Sequence, residues 1–149
     1  MGNEVRVRIN GDADLVSARA EARAMAERLG FARPAPTLIA TAISEIGRNI
    51  VVHVGCGEIV LMPLQEGDRC GLAVIAHDDG PGIRNVEAAL RDEYTGRSGL
   101  GLGLPGARRL MDEFDITSDP DNGTTVTMKK WRLVDELERY REQRRRRDE

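Results

Sequence analysis

The sequence predicts an α+β two-layer sandwich, a mixed but mostly antiparallel sheet with helices on one face. Three observations predict it. The element order reads β-α-α-β-β-loop-α-β-β, without the regular β-α-β alternation of a doubly wound parallel sheet. The two long helical segments each carry one apolar stripe, so each buries a single face. Aromatic residues make up only 3% of the 149 residues, so the core must be built from aliphatic side chains between those stripes and the strands. The length suits one domain.

Val5, Val7 and Ile9 alternate with polar neighbours and predict a half-buried strand over 4–10. Gly11 and Asp12 form a turn in which Asp12 is a candidate helix N-cap. Leu15, Ala18, Ala22, Met25 and Leu29 then recur at helical spacing over 13–29, and Gly30 suits the C-terminal cap. Pro34 and Pro36 break the chain before a second helix at 37–54 with the stripe Ile39, Ala42, Ile43, Ile46 and Ile50. Apolar stretches at 58–64 and 71–77 flank the polar turn 65–69 and read as a hairpin. The second, Leu72-Ala73-Val74-Ile75-Ala76, has the continuous apolar character of a central strand. The charged segment 84–98 reads as a short helix and a loop. Pro105 suits the first turn of a helix ending near Met111. Strands at 113–118 and 123–131, joined by a turn through Asn122, complete the domain at 1–131. Residues 132–149 read as a charged C-terminal helix or frayed tail.

Composition narrows the function classes. Twenty-two Lys and Arg against 25 Asp and Glu give a net charge of −3, which excludes a generally basic nucleic-acid binder. Few aromatics means no ladder of rings on which bases stack. Cys56 and Cys70 are too few for a disulfide framework or a four-cysteine zinc site and read as small buried or half-buried thiols. No apolar run approaches the about 20 residues needed to span a bilayer. The start of the chain has no signal-peptide stretch, and residue 6 is Arg where a myristoylation motif needs Ser or Thr. A cytoplasmic location without membrane or nucleic-acid partners is expected.

Three elements carry candidate chemistry. Glu45 and Asn49, four apart on the second helix, lie at the margin of its apolar stripe. They are either an ordinary polar edge or a carboxylate and an amide reaching a pocket between helix and sheet. Asp78 ends the most apolar strand and is followed by Gly80 and Gly82. This is either a strand ending in a turn around Pro81 or a carboxylate placed to accept a hydrogen bond from a ligand, with glycine sparing room for a flat ring. Gly99, Gly101 and Gly103 precede the helix at Pro105. Alternating glycines cost conformational entropy, and N–H groups beside a helix N-terminus suit phosphate oxygens. No Gly-Lys-Ser/Thr follows, so this is not a Walker loop; the Rossmann context and the protein-kinase His-Arg-Asp and Asp-Phe-Gly sets are also missing.

Together, Glu45-Ile46-Gly47-Arg48-Asn49, Asp78-Asp79-Gly80-Pro81-Gly82, Gly99-Leu100-Gly101-Leu102-Gly103 and Gly123-Thr124 resemble, in order and spacing, the nucleotide boxes of the GHKL (Bergerat-fold) ATPases. The runs 40–50, 103–114 and 123–131 are similar to the RsbT-type serine/threonine switch kinases, a resemblance covering about residues 4–131. The resemblance implies ATP and Mg²⁺ as cofactors. It implies Glu45 as general base and Asn49 as the Mg²⁺ ligand. Asp78 would receive the adenine amino group, Gly80 and Gly82 would make room for the ring, and Thr124 would support its edge. Gly99, Gly101 and Gly103 would face the phosphates, and residues 84–98, with Thr95 and Arg97, would form the ATP lid.

The implied function is transfer of the ATP γ-phosphate to Ser or Thr of STAS-domain partners, RsbS-like and RsbR-like, in a stressosome-type partner-switching module with a PP2C-type phosphatase downstream. The alternative is a nucleotide-gated binder of the anti-sigma kind that sequesters a partner without phosphotransfer. Arg19, Arg23 and Arg48 are candidates for a docking face. His53 and His77 read as packing or surface residues, which disfavours a histidine sensor kinase. Arg144 to Arg147 stand in a tail carrying seven Arg against six acids, the balance of a solvated helix end.

Overall fold

A computed structural model of the chain describes residues 3–82, 103–132, 141 and 144–147. The described elements are β1 (Val5–Ile9), α1 (Asp12–Arg28), α2 (Ala35–His53), β2 (Gly57–Glu66), β3 (Arg69–Asp78), α3 (Gly103–Leu110), β4 (Glu113–Asp119) and β5 (Gly123–Trp131). The five strands form one sheet in the order β1-β2-β3-β5-β4. All four pairings among the described strands are antiparallel, in keeping with the expected mostly antiparallel sheet. The strand order follows from the return of the chain after α3. The β4–β5 hairpin inserts β5 beside β3, running against it, and leaves β4 at the edge.

The strand period of two sorts the sheet into faces. Val5, Leu61, Val74, Met128 and Phe114 form one cross-strand row, and Val7, Ile59, Ala76, Val126 and Ile116 form the next. Both rows belong to the core, together with Leu15, Ala18, Ala22 and Met25 of α1, Ile39, Ile43, Ile46 and Ile50 of α2, and Leu104 and Ala107 of α3. The helices therefore lie on one face, as expected. Burying each large aliphatic side chain contributes about 1.5–3 kcal/mol, which is how a nearly ring-free core holds the layers together. Gly47 brings α1 and α2 close: a Cβ there would stand 2.1 Å from Leu15 Cδ2. Arg19 joins the same two helices by donating to Ser44 Oγ at 3.1 Å, so this candidate docking arginine is partly engaged within the fold.

Local capping differs from expectation in one place. Asp12 lies inside α1, and Gly11 at the N-cap makes no side-chain cap bond. Asp14, in the first turn, instead accepts the Asn10 N–H at 2.7 Å. The carboxylate thus caps backward from within the helix, where it also meets the positive end of the dipole. At the other end the Gly30 N–H donates to Glu27 O and the Phe31 N–H to Ala26 O, a Schellman pair that ends the helix at the expected glycine. The second helix starts two residues earlier than predicted, because Pro36 falls in its first turn, where a missing N–H costs nothing. The β2–β3 connection is tighter than the predicted five-residue turn. Glu66 pairs with Arg69, leaving Gly67 and Asp68 as the loop.

Cys56 is exposed and Cys70 is half-buried, and both are free. The expectation of burial fails for Cys56 because it lies in the short link between α2 and β2. In the tail, residues 144–147 are helical, and Arg146 pairs with Asp68 at 3.1 Å on the surface. Among the described residues, no helix is long and apolar enough to cross a membrane.

Candidate functional site

The helix-facing rows of the sheet turn polar at one end. There Asp78 pairs with Thr124, and Thr124 with Ser118. By alternation all three lie on the face where Val126 and Ile116 are apolar. Asp78 and Thr124 are the buried polar residues of the described chain, 9% and 8% exposed. Asp78 Oδ1 accepts the Gly80 N–H at 2.9 Å, which fixes the carboxylate. Its other oxygen has no protein donor among the described residues. Thr124 Oγ1 and Ser118 Oγ share a hydrogen bond of 2.8 Å. The carboxylate thus keeps one acceptor open among the described residues, beside a hydrogen-bonded pair of hydroxyls.

Glycine is required here by close backbone approach. Gly123 has φ +75°, and a Cβ there would stand 1.9 Å from Asp78 O. Gly82 has φ +80°, and its Cβ would stand 2.8 Å from Asp119 O. The 78–82 loop and the β4–β5 turn are thus pressed together by their main chains. The turn is tied by Asp119, whose Oδ1 accepts the N–H groups of Asp121 and Asn122 and whose Oδ2 accepts the Asn122 side chain. Those bonds, the Asn122 side chain first, hold the Asp119 carboxyl below the usual carboxylate range.

The helices close on this mouth from one side. Val54, just past α2, lies against Gly80: a Cβ at Gly80 would stand 2.6 Å from Val54 Cγ2. A Cβ at Gly57 would meet both His77 O and Ile50 Cγ2, so the last turn of α2 rests on the end of β3. One and two turns back are Asn49 and Glu45, both half-buried. Neither side chain has a hydrogen-bond or ion-pair partner among the described residues. α3 packs on α2 through its buried residues Leu104 and Ala107, and its N-terminus is at Gly103, two residues before the predicted Pro105 start.

Of the expected site residues, Asp78, Gly80, Gly82 and Thr124 are brought together at one mouth. Glu45 and Asn49 lie on the helix that borders it, and Gly103 starts the helix packed on that one. Thr95, Arg97, Gly99 and Gly101, and the lid at 84–98, lie outside the described residues. His77 points to the opposite face, where Nδ1 meets Thr125 Oγ1 at 2.7 Å and Nε2 meets Asp79 Oδ1 at 3.0 Å. His53 is exposed at the end of α2. Sequence reasoning missed Ser118. Its signal was present: Phe114, Ile116 and Ser118 occupy alternate positions of β4, so a hydroxyl stands where the pattern calls for a third apolar side chain.

The described residues thus form an antiparallel sheet with helices on one face, with an acid, hydroxyls and glycines gathered at one end. Residues 10–130 match the histidine kinase-like ATPase domain family, and the chain belongs to it as a GHKL-type protein. Within that family it is 40% identical to the serine/threonine-protein kinase RsbT of Bacillus subtilis (strain 168) over 131 residues, 88% of this chain and 98% of RsbT. It is also 35% identical over 99 residues to the anti-sigma F factor of Clostridium novyi (strain NT), covering 63% and 69% of the two chains. With the anti-sigma F factor of Clostridium perfringens (strain 13 / Type A) it shares 32% identity over 132 residues, 75% of this chain and 94% of the relative. The chain is therefore an RsbT-type member of the kinase-like ATPases.

Proposed function

We propose that the chain binds ATP in the cleft between α2, α3 and the polar end of the sheet, and transfers its γ-phosphate to a Ser or Thr hydroxyl of a partner protein. The observation that carries this is Asp78, a buried carboxylate with one oxygen held by Gly80 and the other open to a donor. The adenine amino group is such a donor, and the Thr124–Ser118 pair offers a second polar contact along the same row. Gly80 and Gly82 keep side chains off the ring. The α3 N-terminus at Gly103, preceded by Gly99 and Gly101, faces the phosphates with its backbone N–H groups. The resemblance assigns Thr95 and Arg97, which lie outside the described residues, to the nucleotide site as well.

The donor set fits Mg²⁺. Asn49 supplies a hard carboxamide oxygen, is half-buried and is unpaired among the described residues. Asn49 would hold Mg²⁺ through that oxygen, and the ion would supply neutralisation of the charge on the phosphate oxygens. Glu45, one turn away, takes the proton of the attacking hydroxyl as its oxygen bonds to the γ-phosphorus. The bond from that phosphorus to the β–γ bridging oxygen breaks, and ADP leaves. The resemblance to RsbT-type kinases supports STAS-domain proteins as substrates and a PP2C-type phosphatase as the released kinase's target. Of the three candidate docking arginines, Arg23 and Arg48 are exposed.

The similarity to anti-sigma F factors supports the second reading, a nucleotide-gated binder. Labelled ATP, Mg²⁺ and a STAS partner separate the two. Label on the partner that disappears in Glu45→Ala supports the kinase. A tight complex without label contradicts it and supports the binder.

A further inference from the structure

β5 presents Thr124, Val126, Met128 and Lys130 toward the helices, and Thr125, Thr127, Lys129 and Trp131 away from them. Lys130 is thus a cation where the alternation calls for an apolar side chain. Its cross-strand neighbour Leu72 is fully buried, and the Lys130 side chain itself is only 17% exposed. Nothing in packing asks for a charge there; Met or Leu would fill such a place without desolvating an ammonium group.

The partners of Lys130 explain it. Nζ donates to Leu110 O at 2.9 Å and stands 3.6 Å from Asp112 Oδ1. Leu110 is the last residue of α3. Asp112 is itself fixed, since its Oδ2 accepts the Trp131 N–H at 2.7 Å and its own N–H donates to Lys129 O at 2.9 Å. One cation and one carboxylate therefore tie the C-terminus of α3 to the end of β5. A cation at this helix end satisfies an orphan carbonyl and meets the negative pole of the dipole. With eight residues, α3 is about 12 Å long. A tilt at Leu110 is carried through so short a rod to Gly103.

We propose that Lys130 is a positioning residue for the phosphate end of the cleft: by holding the Leu110 carbonyl it sets the direction in which the N–H groups at the start of α3 face the phosphates. This rests on the nucleotide reading given above and adds a division of labour to it. Asp78 and Thr124, which serve the base, are held by strand register. Thr124 is six residues from Lys130 along β5, about 20 Å away. The phosphate end alone depends on the pose of α3, so loss of Lys130 discriminates between nucleotide and nucleoside.

The test titrates Mg–ATP and adenosine separately into the full chain and its variants, followed by NMR, with thermal unfolding in parallel. Lys130→Met is expected to weaken ATP by about tenfold, the size of one charge-assisted contact, and to leave adenosine within about twofold. Lys130→Arg, which keeps the cation and its donors, is expected to restore ATP affinity to within about threefold. Asp112→Asn keeps an acceptor for the Trp131 N–H while removing the charge beside Lys130, and is expected to weaken ATP alone by a smaller factor. Equal losses for both ligands that track a fall in melting temperature would assign Lys130 to stability only and overturn the proposal. Unchanged ATP affinity in Lys130→Met overturns it too. An unsubstituted chain that binds neither ligand overturns the nucleotide reading first.

Discussion

The two ends of the sheet solve opposite problems. At the far end several polar side chains pair with one another. Arg69 lies 3.8 Å from the centre of the Trp131 ring and pairs with Glu66, the Trp131 indole N–H donates to Glu113, and Lys130 and Asp112 lock α3 to β5. At the mouth the pattern is left open. Among the described residues, one Asp78 carboxylate oxygen has no donor, and Asn49 and Glu45 stand half-buried without partners. The groups left open at the mouth are those the proposed nucleotide would pair with. The same strands serve both ends, which lets a rigid scaffold hold the open end in place.

That contrast can be broken by substitution, and the largest effect is expected in chemistry. Glu45→Gln should lower phosphotransfer to a partner about 10²- to 10⁴-fold, the span of a general base, with nucleotide affinity retained; a labelled-ATP assay checks it. Asp78→Asn should weaken adenine nucleotides about 10- to 100-fold through loss of a charge-assisted acceptor. Its Oδ1 can still accept the Gly80 N–H, so the melting temperature should stay near that of the unsubstituted chain, and calorimetry reads both. Gly123→Ala tests the backbone contact instead. A Cβ at φ +75° and 1.9 Å from Asp78 O should destabilise the chain by at least about 2 kcal/mol in denaturant unfolding.

Smaller effects sharpen the comparison. Ser118→Ala removes the neutral hydrogen bond to Thr124 and should weaken nucleotide about two- to tenfold, with no change for a ligand lacking the base. The smallest concerns pH. Asp119 has a folded-state pKa below the unfolded one, so its contribution is full above the ordinary carboxylate value and is lost as pH falls through the lower folded value. Asp119→Ala should flatten the pH dependence of melting below about pH 4 and leave it unaltered near neutrality. A flattening at neutral pH instead would contradict the turn's hydrogen-bond account.

Elements with strong period were legible in the sequence. The α2 stripe Ile39, Ile43, Ile46 and Ile50 and the alternation of β1 and β5 correspond to the faces they bury, because burial of aliphatic surface dictates both. The antiparallel neighbour of β3 was not legible: whether β4 or β5 lies beside it depends on how the chain returns after α3, a long-range choice. Local competition hid the α1 cap, since Asp12 and Asp14 are both acceptors and only geometry decides which meets a free N–H. Asp78, Gly80, Gly82 and Thr124 were legible as pieces, each with an ordinary turn reading beside it; their meeting required the β3–β5 register. Ser118 and Lys130 were overlooked for one shared reason. Each is a polar residue in an inward strand position, a signal visible only after the faces are assigned.

Separated stretches of chain, in the proposed function, converge on one purine-triphosphate cleft at one end of the sheet. Addition of Mg–ATP to isotope-labelled chain, read as backbone amide shifts, tests it most directly. Binding in that cleft is expected to give saturable changes gathered at residues 45–50, 78–82, 103–106 and 118–124, with Glu113 and Trp131 at the far end unmoved. Changes centred on the far end, or none at all, would contradict it.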